Sequence, residues 1–147
     1  MMKKFVLTLI TFFSSHLFAQ GNIQGMQGRF SVNTSRCSLF SGRVPQRAYI
    51  SAQSSDSLLV EFLGSEARDY LVHTNSGQEQ GSHGPESYTS QWPSESNVTS
   101  VHSFRDDAGE GAQEVVSLTI TDGGVFLTIS LNGGPAQSCE LIRNQPL

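Results

Sequence analysis

Short runs in which apolar and polar residues alternate dominate the chain from Arg29 onward. Phe30, Val32 and Thr34 fall on one side, with Ser31, Asn33 and Ser35 on the other. That is the period of two expected of a strand with one buried face. Ala48 to Gln53 supplies a second such run, and Tyr70 to Thr74 a further one. Ser57 to Leu63 fits two templates. Leu58, Val60 and Phe62 alternate, while Leu58, Leu59, Phe62 and Leu63 suit one face of a helix capped by Asp56 and stopped by Gly64. Seven residues make a poor helix and a good strand, so a strand is expected.

The C-terminal third is the clearest. Val98 to Phe104 reads as a strand, and Asp106 to Gly111 as a turn. Val116, Leu118 and Ile120 alternate with Ser117, Thr119 and Thr121. After an Asp122-Gly123-Gly124 hairpin turn, Val125, Leu127, Ile129 and Leu131 share a face that is assigned to the core. Asn132 to Pro135 turns the chain into a last strand with Gln137, Cys139 and Leu141 inward. These three strands form an antiparallel meander. About eight short strands with frequent turns predict an all-β fold: a small up-and-down antiparallel barrel, lipocalin-like in architecture only, or a β-sandwich. Gly28-Arg29-Phe30 resembles the Gly-x-Trp of lipocalins with Phe in place of Trp. Three residues assign no family.

Residues 75–97 differ in composition. They are rich in Ser, Gly, Gln and Glu, with Tyr88 and Trp92 as their aromatics. A long polar loop, with room for short strand pieces, is expected there, and loops of that length in compact domains are usually functional or disordered. Large aromatics in such a setting are candidate contacts for a ligand or partner. Trp92 has a second reading, in which it folds back and plugs one end of the barrel.

Residues 1–19 stand apart from this pattern. Lys3 and Lys4 precede a largely apolar run, Phe5–Phe13, and Ala19 is a small residue of the kind a signal peptidase needs. The pattern reads as a cleaved secretory signal peptide of bacterial type, too short to span a bilayer. Periplasmic or secreted location follows. Residues 20–28 then read as a flexible lead-in and residues 29–147 as one β domain. Cleavage removes both lysines, leaving seven arginines against 13 carboxylates, a net charge of −6. An acidic chain is a poor nucleic-acid binder. The charge is uneven: residues 20–55 hold Arg29, Arg36, Arg43 and Arg47 and no carboxylate. Pairing of early strands with acidic later ones would interleave these charges.

An even cysteine count in an exported chain predicts a Cys37–Cys139 disulfide, and with it adjacent first and last strands. No nucleophile-elbow, phosphate-loop, His-Glu-x-x-His or Cys-x-x-Cys signature is present. His73, His83 and His102 match no compact metal motif and are expected to be isolated, so neither a metal nor a cofactor is expected. Asp106, Asp107 and Glu110 read as a solvated turn rather than a calcium site. The expectation is therefore a monomeric, non-enzymatic binding module, not membrane-spanning, for a small molecule or an envelope protein. A small hydrolase using one of the histidines, or a structural envelope component, is the alternative. The exported protein should begin at Gln20, with an intact mass matching cleavage after Ala19; a full-length membrane-retained species would contradict this.

Overall fold

The computed structural model describes residues 21–64 and 68–144. The signal-peptide reading of residues 1–19 lies outside them. The alternation along the chain becomes ten strands: β1 (Gly28–Cys37), β2 (Arg47–Ser54), β3 (Ser57–Leu63), β4 (Asp69–His73), β5 (Gly77–Gly81), β6 (Gly84–Ser94), β7 (Asn97–Arg105), β8 (Gly111–Thr121), β9 (Gly124–Leu131) and β10 (Gln137–Arg143). One helical turn, α1 (Ile23–Met26), precedes them. All ten strands belong to one sheet in the order β4-β3-β2-β1-β10-β9-β8-β7-β6-β5. Every neighbouring pair is antiparallel.

The ambiguous segment Ser57–Leu63 is a strand, with Leu58, Val60 and Phe62 buried. The core is the face on which the apolar rows line up. Cys139, Leu127, Leu118 and Val98 are successive partners across β10, β9, β8 and β7, and none is measurably exposed. On β1, Phe30 and Val32 are buried but Thr34 is exposed. The alternation breaks because Val32 opposes Leu141 and Cys37 opposes Cys139, so β1 bulges between these two pairs.

Several expectations need correction. Residues 75–97 are not a loop but the β5–β6 hairpin, with a two-residue turn between Gly81 and Gly84. Along β6, Glu86, Tyr88, Ser90 and Trp92 are half-buried while Pro85, Ser87, Thr89 and Gln91 are exposed. The period of two is present there in polar residues, where a hydrophobic pattern does not register it. Among the described residues the strands number ten, where about eight were expected. The lead-in folds: α1 packs Met26 into the core with no exposure, and Asn22 caps it by accepting from the Gly25 N–H. Leu131, assigned to the core, is 53% exposed. Its face runs past the end of the apolar rows.

The sheet does not close into a barrel, one of the two architectures expected, because β4 and β5 are not paired by their backbones. The β5 sequence, Gly-Gln-Glu-Gln-Gly, has no apolar side chain to bury. β4 instead lies against β6, β7 and β8. Its free backbone groups are met by side chains: Ser100 Oγ accepts from the His73 N–H at 3.3 Å, and Ser90 Oγ donates to the His73 carbonyl at 2.6 Å. The Trp92 indole N–H donates to the Thr74 carbonyl at 3.1 Å.

Cys37 and Cys139 form the predicted disulfide between adjacent first and last strands. A buried bridge is compatible with an extracellular or periplasmic location. Arg36 of the basic early segment pairs with Glu140 at 3.2 Å, as interleaved charge requires. No helix of the described residues is long and apolar enough to cross a membrane. Leu127→Ala should destabilise the protein by roughly 2–5 kcal/mol. Leu131→Ala, on the same face, should cost well under ~1 kcal/mol. Urea unfolding of the two variants measures both; equal costs would place the core boundary elsewhere.

Candidate functional site

The inner face of the sheet continues beyond its apolar rows. The register carries it from Ser90, Ser100, Val116 and Ile129 to the next row, Tyr88, His102, Glu114 and Leu131. Two residues further lie Glu79 opposite Glu86, and Phe104 opposite Ala112. What was core becomes a patch of carboxylates and ring side chains. Leu131 is exposed because its neighbours in that row are Glu114 and His102, not further apolar residues.

β4 brings His73 to the same place. Its imidazole is only 5% exposed and stacks on the Tyr88 ring, with centroids 3.6 Å apart and planes within 7°. The His102 ring lies 6.1 Å from His73 and 5.0 Å from Phe104. Burial pushes the His73 imidazole below its ordinary value; the negative charge of Glu79 opposes that shift and His102 adds to it. His102 Nε2 lies 2.7 Å from Glu86 Oε2, and both side chains are largely sheltered.

Two glycines of β5 make room for this arrangement. Gly77 pairs with Tyr88, and a Cβ at Gly77 would lie 2.8 Å from the ring. A Cβ at Gly81 would collide with the Glu86 carboxylate. Close approach of the stacked Tyr88 ring to bare backbone is what selects glycine at Gly77. One carboxylate oxygen each of Glu79 and Glu86, and one ring nitrogen of His102, all lie within 4.8 Å of one another.

The structure thus brings together His73, His102 and Tyr88, residues singled out separately in the sequence. Glu79, Glu86 and Glu114 were missed. Glu79 and Glu86 stand symmetrically about the Gly81–Gly84 turn, a signal readable only once the segment is recognised as a hairpin. His83 lies apart, on that turn, with Nε2 2.9 Å from Asp107 Oδ1 at the surface. Trp92 packs against the core at the other half of β6, held by its bond to Thr74, and a side chain at Gly21 would collide with its ring. Asp106 is spent on its own turn, its carboxylate accepting from the Ala108 and Glu110 N–H groups. A separate surface cleft of about 470 Å³ places Arg43 and Arg47 beside Pro45 and Leu63.

The class defined so far is an all-β protein built on one antiparallel sheet, with a polar, ring-lined patch continuing its core face. No family model matches this chain, and no curated protein matches it.

The buried His73 ring predicts a pH response. The folded state holds this ring less protonated than the unfolded chain does, so unfolding takes up protons. Stability should therefore fall as pH drops below about 6.5, the unfolded value, and level off once pH is below the depressed folded value. His73→Phe keeps a ring against Tyr88 and should flatten that slope in thermal melts between pH 7 and the acid plateau. An unchanged slope would show that His73 does not carry it.

Proposed function

We propose that this protein is an exported binding module, not an enzyme, that holds the positively charged group of a small ligand on the face around Tyr88. The observation that supports this is the composition of that face. Glu79, Glu86 and Glu114 supply negative charge, and Tyr88 and Phe104 supply ring surface. Carboxylates beside aromatic rings attract a cation both by charge and through the ring faces. An envelope protein presenting an arginine or lysine would offer the same chemistry. Trp92 contributes by anchoring β6, so that Tyr88 at its other half is held in place.

Export is supported by the Lys-Lys start with its short apolar run, and by the Cys37–Cys139 bridge. We read the scaffold as an up-and-down barrel left open along one seam rather than as a sandwich. One continuous sheet and the side-chain bonds from β6 and β7 to the β4 backbone support that reading. A hydrolase reading has two His–carboxylate pairs in its favour, His83–Asp107 and His102–Glu86. Nucleophilic catalysis also needs a hydroxyl or thiol bonded to the base. Among the described residues, none is hydrogen-bonded to either imidazole.

An NMR titration of the mature protein with agmatine, a small guanidinium dication, tests the proposal. Amide shifts should concentrate at Tyr88, His102 and Glu114, and Glu114→Gln should weaken them. No shifts at millimolar agmatine, or shifts confined to the Arg43–Arg47 cleft, would overturn it.

A further inference from the structure

Glu79 and Glu86 are directly opposed across the β5–β6 ladder. Like charges at such a pair destabilise it. β5 is also an edge strand, with no second neighbour to offset the cost. The sequence nevertheless builds the pair in rather than splaying it apart. Gly81 leaves the space that the Glu86 carboxylate fills, and the other oxygen of that carboxylate is turned toward His102. The result is an imidazole nitrogen and two carboxylate oxygens within 4.8 Å of one another. The His102–Glu86 contact accounts for one side of this group, and a cation between the three would remove the Glu79–Glu86 repulsion on the other.

We propose that Glu79, Glu86 and His102 bind a divalent transition-metal cation of borderline softness, such as zinc. One nitrogen and two oxygen donors suit that class, whereas calcium takes six to eight oxygens. Three protein ligands leave a coordination position open for water or for a donor atom of a bound ligand. The donors span up to 4.8 Å and must draw in to metal-ligand distance. Glu79 is exposed on an edge strand, so its carboxylate is free to close. His73 stays stacked on Tyr88 and has no ligand role. The inference rests on reading this face as the binding site: the metal takes Glu79, Glu86 and His102, and Glu114 is left for the ligand's cationic group.

Isothermal titration of chelator-treated mature protein with zinc chloride tests it. One zinc per chain should bind, and excess calcium should not displace it. Glu79→Gln, Glu86→Gln and His102→Gln should each weaken affinity by roughly tenfold or more, while His83→Gln should not. Glu79→Gln carries a further signature: it removes the repulsion, so the metal-free variant should melt no lower than wild type, yet zinc should no longer raise its melting temperature. Absent zinc binding, or binding that survives Glu79→Gln or is lost in His83→Gln, overturns the site. Agmatine shifts without zinc uptake would sink the metal assignment alone; absence of both would sink the binding-face reading as well.

Discussion

The pairing of β1 with β10 makes one sheet out of two meanders, β1 to β4 and β5 to β10. It joins residues more than a hundred positions apart, so its formation carries a large loop-closure cost. Three features meet that cost. The Cys37–Cys139 bridge, of sequence separation 102, restricts the unfolded chain, by up to about 4.7 kcal/mol in the chain-entropy view. Phe30, Val32, Cys139 and Leu141 line the joint with buried apolar area. Arg143 lies over the Phe30 ring at 4.9 Å and donates to the Gln27 and Gly25 carbonyls, which fastens α1 to the same ladder.

With the joint made, the sheet has two free edges, β4 and β5, a short link apart in sequence. Free edges invite pairing with other chains unless they are covered or made unattractive. The two edges are handled differently. β4 is covered by β6, β7 and β8, with serine and tryptophan side chains taking the place of a partner strand. β5 is short, polar and carries Glu79, which discourages a second strand. The covering of β4 is also what carries His73 onto Tyr88 and within 6.1 Å of His102. The unpaired β4 edge, which leaves the sheet open, is thus the feature that assembles the cluster.

The same patch shows where the apolar core gives way to polar groups on one face. A continuous apolar face would have buried Leu131 and left no polar group to satisfy. Instead Glu114, His102 and Glu86 occupy positions whose register belongs to the core, and Leu131 is left exposed beside them. Carboxylates held half-sheltered against rings cost desolvation, which a bound cation would offset.

Period-two alternation in apolar residues was enough to locate β1 to β4 and β7 to β10 and to pick out Val125, Leu127 and Ile129 as core. The cysteine pair was enough to bring the chain ends together. These are properties of a single strand's face or of a single bond, and local composition carries them. The β5–β6 hairpin was hidden because its alternation is written in Glu86, Tyr88, Ser90 and Trp92, mostly polar residues whose half-burial depends on what lies across from them. The boundary of the core along β9, the seam at β4 and the gathering of Glu79, Glu86, His73 and His102 depend on register between strands distant in sequence. No residue's own chemistry records that register, so only the folded sheet decides it.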